Sequence, residues 1–288
     1  MTLAARVQPV DTGFYRENGF LAIESLVSPE EVEAIRAEAV RICRGERICE
    51  KIPPVGSEVS DEEVIRRYLC VHQPHFISPY LREIVAHKGI AKVLTQLIGP
   101  NVKCMQSMLF LKPPRYPGQA WHQDEYYIPT RDRSLTGAWI ALDDADRDNG
   151  CLWVIPGSHQ SGYLYPQRDH ERTTEFDFAQ ESYGFDEQAG IPVECRAGTV
   201  LFFNGYLLHR SRKNRSDRFR RVLVNHYMNA YSLLPWRAET KEGEWAARAD
   251  YRGIVLVAGE DPYAWKGTFE EPGAVWVRTY DPKALEAD

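Results

Sequence analysis

Apolar residues recur at helical intervals early in the chain and gather into short, strand-length runs later, which predicts a helical opening third and a β-rich body. Residues 14–27 read as a turn of helix, a break at Gly19 and a strand. Ser28-Pro29-Glu30-Glu31 has capping-box spacing with proline at the first helical position, and Val32, Ile35, Ala39 and Ile42 follow at helical intervals. A helix that covers a sheet is therefore expected to start there. A loop through Pro53-Pro54 and Gly56 precedes a mixed segment at 64–76. Leu81, Ile84, Val85, Ile90, Val93, Leu94 and Leu97 predict helix over 79–98, open to a break at Gly89 and stopped by Gly99-Pro100.

Past residue 100 the apolar runs shorten and turn signals come often. Strands are predicted over 102–111, 120–128, 136–141, 152–155, 191–195, 199–203 and 221–229, the pattern of an antiparallel sandwich or barrel. Between 158 and 189 no periodicity holds, which marks a lid or binding loop. The tail from Tyr231 carries Trp236, Trp245, Trp265, Trp276 and a strand-like 274–280. It is too apolar for a disordered tail, so it is expected to pack back on the body or form an oligomer contact; the sequence leaves oligomeric state open.

Composition narrows the function. A length of 288 residues suits one large domain. Net charge is −6 and Lys and Arg are scattered, so no nucleic-acid partner is expected. Cysteines 43, 49, 70, 104, 151 and 195 form no CxxC pair and read as reduced thiols, which suits a cytoplasmic protein. Neither a signal peptide, a membrane span, nor a peroxisomal or ER address is recognised, so no membrane partner is expected.

Candidate chemistry centres on Ala120-Trp121-His122-Gln123-Asp124-Glu125-Tyr126. If this is strand, His122 and Asp124 share a face and offer two thirds of a facial triad suited to non-haem Fe(II). His209, in the cluster 204–220, could supply the third ligand. Arg220 alternates with Val222, Val224, His226 and Met228 on a largely apolar strand face, and a buried arginine needs an anion. A dicarboxylic acid and a carboxylate of the fold are both open as that anion.

Asn149-Gly150-Cys151-Leu152-Trp153-Val154-Ile155-Pro156-Gly157-Ser158-His159, His122-x-Asp124 and His209-x-Ser211-x-x-Asn214-x-Ser216-x-x-x-Arg220 together resemble the phytanoyl-CoA dioxygenase family over about 14–230, in particular its domain-containing branch. The resemblance implies a double-stranded β-helix, a cupin-like jelly roll. It also implies an Fe(II)- and 2-oxoglutarate-dependent dioxygenase that uses O2, hydroxylates a small molecule and releases succinate and CO2. By the same resemblance His122, Asp124 and His209 bind iron. Arg220 and Ser211 hold the far carboxylate of 2-oxoglutarate, and Gln106 and Trp139 line its pocket. A lysine that assists the co-substrate in the phytanoyl-CoA enzyme has no clear match in Arg66-Arg67-Tyr68-Leu69-Cys70. Related halogenases carry a small residue at the position of Asp124, so the carboxylate implies oxygenation instead. The resulting layout is one domain over 1–288, with helices outside at 28–98, a jelly roll at 102–230, a lid at 158–189 and a packing segment at 231–288. A non-redox metal-binding jelly roll, such as a cupin-like isomerase or a ligand-binding protein, is the alternative.

Other polar clusters carry plainer readings. His72 and His75 flank Gln73-Pro74 and read as ordinary loop residues, and His159 as a backbone-bonding turn residue. Tyr126 and Tyr127 face substrate or pack as strand aromatics. Asp143, Asp144, Asp146 and Asp148 lack EF-hand spacing and read as a solvated turn. Lys112, Arg115, Arg131 and Arg133 either attract an anionic substrate or are exposed basic residues of no special role.

Overall fold

The computed structural model describes residues 10–177, 179–232, 253–266 and 275–279. It begins with helix α1 (Thr12–Asn18) and strand β1 (Phe20–Ile23). Helix α2 (Pro29–Cys43) starts at the expected capping box, with Ser28 and Glu31 bonded reciprocally. The mixed segment resolves into α3 (Asp61–Ile65), strand β2 (Tyr68–His72) and a 3-10 turn, Pro74–Phe76. Helical residues 79–98 form two helices, α4 (Pro79–Val85) and α5 (Lys88–Leu97). The break precedes Gly89, because the side chain of His87 caps α5 by accepting from Ile90 N at 3.3 Å.

The β-rich body follows as β3 (Val102–Phe110), β4 (Gln119–His122), β5 (Thr136–Ala141), β6 (Leu152–Val154), β7 (Gln167–Arg168), β8 (Glu181–Ser182), β9 (Ile191–Val193), β10 (Val200–Asn204), β11 (His209–Ser211) and β12 (Val222–Asn229). Two tail strands, β13 (Val255–Ala258) and β14 (Trp276–Thr279), pair with β3 and β2 respectively. These described parts of the tail pack back on the body. Trp236, Trp245, Ala274 and Tyr280 lie outside the described residues. One expected strand is much shorter than its pattern suggested. β4 stops at His122, and residues Asp124–Tyr126 form a 3-10 turn in which Glu125 N bonds Gly205 O at 2.9 Å.

The pairings among these fourteen strands are antiparallel. The large sheet runs β1-β10-β5-β12-β3-β2-β14, the small one β4-β11-β6-β9, and β7-β8 form a separate ribbon. The period-2 pattern explains the layering. Ala138, Ile140, Val200, Phe202 and Leu223 pack with the helices, whereas Trp139, Ala141, Leu201, Phe203, Val222 and Val224 pack with Leu152 and Val154 of the small sheet. On α2, Val32, Ile35, Ala39 and Ile42 are all buried. Each of its larger aliphatic side chains contributes about 1.5–3 kcal/mol by that burial. The architecture is thus a two-sheet jelly roll with helices on one outer face. No helix among the described residues is long and apolar enough to cross a membrane.

The six cysteines are unpaired, five of them buried as apolar filler. The acidic turn is occupied by protein donors: Asp143 takes Arg36 and Arg221, Asp144 takes Ala197 N, and Asp146 takes Asn149 N and Arg218.

Candidate metal and co-substrate site

Strand register brings the two distant histidines together. β11 pairs with β4 so that His209 lies opposite His122, with ring centroids 4.1 Å apart. Gly118, just before β4, approaches β11 so closely that a Cβ there would lie 1.9 Å from Ser211 O. Asp124 joins them by a route other than strand alternation. The turn after His122 swings its carboxylate back until Oδ1 lies 3.5 Å from His122 Nε2 and 3.6 Å from His209 Nε2. Between them Gln123 faces away, donating to Tyr163 O and Tyr206 O and accepting from Tyr165 N, so it fastens the 158–189 segment behind the site.

The donor set fits a divalent metal. His122 Nδ1 bonds Ala120 O at 2.7 Å and His209 Nδ1 bonds Leu207 O at 2.9 Å, which places the lone pair of each ring on Nε2. His226 Nε2 donates to Asp124 Oδ2 at 2.9 Å, which leaves Oδ1 facing the two imidazoles. One ligand atom from each of the three residues lies within 4.8 Å of the others, and all three residues are buried. Burial, then His209, pushes His122 down to about 4, so the ring is neutral at physiological pH. Burial alone would raise the Asp124 carboxyl, but His209 and His226 outweigh it and hold the group well below the usual carboxylate range. Ligation needs such forms, a neutral ring at His122 and an ionised carboxylate at Asp124.

The three groups open into a cavity of about 430 Å³ between the two sheets, lined in part by Gln106, Trp139, Ser211 and Arg220. Arg220 is buried, and no carboxylate among the described residues pairs with it; its Nε has no partner. Burial lowers it to about 10, still cationic at neutral pH. Among the described residues the alternative of a carboxylate of the fold for this arginine is therefore not met. Of the two tyrosines, Tyr127 lines the cavity and Tyr126 does not. The 3-10 turn that returns Asp124 carries Tyr126 outward, where it is 45% exposed and meets the Tyr127 ring edge-on.

Several cavity residues carried no role in the sequence reading. His226 shares the strand face of Arg220, and that alternation was its only signal. Lys112, grouped above with exposed basic residues, is buried and lines the cavity. His72 ends β2, stacks at 4.4 Å on Trp276 and lines the cavity too, while His75 is buried against Ser107. Asp177 and Arg278, from the long 158–189 segment and from β14, pair at 2.9 Å across the wall. His159 bonds the carbonyl of Arg16, as its turn position predicted.

A jelly roll that buries two imidazoles and a carboxylate beside an unpaired arginine has the fold and site of a non-haem iron, 2-oxoglutarate-dependent oxygenase. The profile of the phytanoyl-CoA dioxygenase (PhyH) family matches residues 15–222, and the chain belongs to that family. It is 32% identical over 237 residues to the peroxisomal phytanoyl-CoA dioxygenase of Bos taurus, covering 75% of this chain and 67% of that one. With phytanoyl-CoA dioxygenase domain-containing protein 1 of Danio rerio it is 26% identical over 272 residues, 80% of this chain and 92% of that one. The chain thus spans about two thirds of the mammalian enzyme's length. Among solved structures, the non-haem alpha-ketoglutarate-dependent carbocyclase SnoK from nogalamycin biosynthesis superposes with a TM-score of 0.58 at 27% identity, covering 81% of this chain and 87% of that one.

Because His226 orients Asp124, a His226→Ala protein is expected to bind Fe(II) about 10–100-fold more weakly while unfolding at a similar temperature. Titration of the purified protein with the metal checks this, and wild-type affinity would show that the Asp124 contact does not tune the site.

Proposed function

We propose that this protein hydroxylates a small molecule, with His122, Asp124 and His209 as iron ligands and Arg220, assisted by Ser211, as the clamp for the far carboxylate of 2-oxoglutarate. The observation that carries the reading is the joint presence, in one buried cavity, of a convergent Nε2, Oδ1, Nε2 donor set and a cationic guanidinium with no protein anion. When bound, the metal and keto acid would together supply oxygen activation: one atom of O2 would enter a substrate C–H bond to give a hydroxyl, the other would enter succinate, and CO2 would leave. The chain's own residues fix the rest. Backbone carbonyls hold both rings in the ligating tautomer, His226 holds Asp124, and Trp139, Phe203 and Leu152 give the cavity apolar walls. The carboxylate of Asp124 supports oxygenation over halogenation, because it fills the ligand position a halide would need.

The mouth of the cavity favours a small organic substrate near Tyr127, Gln180, Asp177 and Arg278. The unpaired cysteines support a reducing compartment such as the cytosol. A non-redox cupin-like protein gives no reason to bury Arg220 without a carboxylate. Succinate formation from 2-oxoglutarate by the Fe(II)-loaded protein in air, above that of protein without iron, tests the proposal; no iron-dependent succinate would count against it.

A further inference from the structure

Lys112 follows β3 and lines the same cavity as Arg220. Its Nζ donates to Ser211 Oγ at 3.1 Å and to Arg212 O at 2.6 Å. The same hydroxyl oxygen accepts from Gln119 N at 3.2 Å. An ammonium and a backbone N–H only donate, so both acceptor positions of the Ser211 hydroxyl are taken and its own hydrogen has to be given to something else. No group among the described residues receives it, although Ser211 is buried. Lys112 and Arg220 are buried as well, and neither is hydrogen-bonded to a carboxylate among the described residues. Two cations and one outward-donating hydroxyl at this end of the cavity have no hydrogen-bonded anion among the described residues, Asp177 acting on Lys112 only at a distance, an arrangement that costs free energy until a ligand supplies one.

We propose that Lys112 is a positioning residue for the co-substrate: it holds the Ser211 hydroxyl as a donor and, beside Arg220, makes this end of the cavity selective for a carboxylate group. The inference rests on the oxygenase reading above and goes beyond it, since that reading assigns Lys112 nothing. Gly150 supplies an independent sign that the ammonium's place is reserved. Its φ is +89°, and a Cβ there would lie 3.0 Å from Lys112 Nζ and 2.5 Å from Arg212 O, the lysine's second acceptor. Burial, then the charge of Arg220, pushes the Lys112 ammonium well below its ordinary range, and a bound carboxylate would favour the charged form.

The test is calorimetric binding of 2-oxoglutarate and of 2-oxobutyrate, which lacks the far carboxylate, to the Mn(II)-loaded protein and to its Lys112→Met, Ser211→Ala and double variants. Lys112→Met is expected to weaken 2-oxoglutarate about 10- to 100-fold and to leave 2-oxobutyrate unchanged. The double variant is expected to lose little beyond the worse single one, because the two side chains act as one unit. Undiminished 2-oxoglutarate binding, equal losses for both keto acids, or fully additive losses would each overturn the proposal. Should the methionine variant fail to fold, Lys112→Gln carries the same comparison. A wild-type protein that binds 2-oxobutyrate as tightly as 2-oxoglutarate overturns this inference alone, whereas one that binds neither overturns the oxygenase reading and this inference with it.

Discussion

Alanine at His209 is expected to abolish 2-oxoglutarate turnover and to weaken Fe(II) binding by more than ~100-fold, since loss of a mere outer partner of a ligand already costs about 10–100-fold. The ring is held from three sides: Leu207 O fixes Nδ1, Phe203 packs at 4.7 Å, and β6 and β4 flank its strand. The neighbouring His226 cannot replace its Nε2, because it is already committed to the second oxygen of Asp124. Metal titration and succinate release measure the two losses, and a thermal unfolding transition close to wild type shows that the scaffold survives. An alanine protein that kept normal iron affinity and turnover would remove His209 from the site.

Arg220→Leu is expected to act in opposite directions on binding and on stability. Removing one partner of a buried charge pair costs about 2–5 kcal/mol of affinity, so the KM for 2-oxoglutarate should rise ~30-fold or more. Without the keto acid, however, the wild-type cavity holds an unpaired guanidinium. Leucine removes that buried charge, and the ligand-free protein should unfold at a higher temperature, by the equivalent of about 1–4 kcal/mol. Steady-state kinetics and thermal denaturation, each with and without 2-oxoglutarate, separate the two effects. A variant that lost stability but kept its KM would show that Arg220 pairs within the protein.

β10 and β5 are buried on both faces, so they showed in the sequence as short apolar runs of strand length and not as an alternation. The capping box of α2 is a local signal and was equally legible. Asp124 was found for a reason that does not hold in the fold: it reaches His122 through a 3-10 turn, which local pattern could not distinguish from the end of a strand. β14 falls within the span 274–280 that read as strand-like, whereas β13 owes its existence to pairing with β3, and pairing of that range leaves little mark on so short a segment. Lys112 was hidden by its residue type. A lysine after a strand is usually solvated, and only the carbonyl of Arg212 and the hydroxyl of Ser211, about 100 positions on, bring it inside.

An oxygenase of this kind has to hold metal and keto acid together in one cavity. Anaerobic addition of Fe(II) and then 2-oxoglutarate to the protein, followed by visible absorption, reads this directly. A weak band is expected only when both are present, absent from His209→Ala and, at the same keto acid concentration, from Arg220→Leu. Absence of any band in the wild-type protein, at concentrations that saturate related oxygenases, would contradict the account.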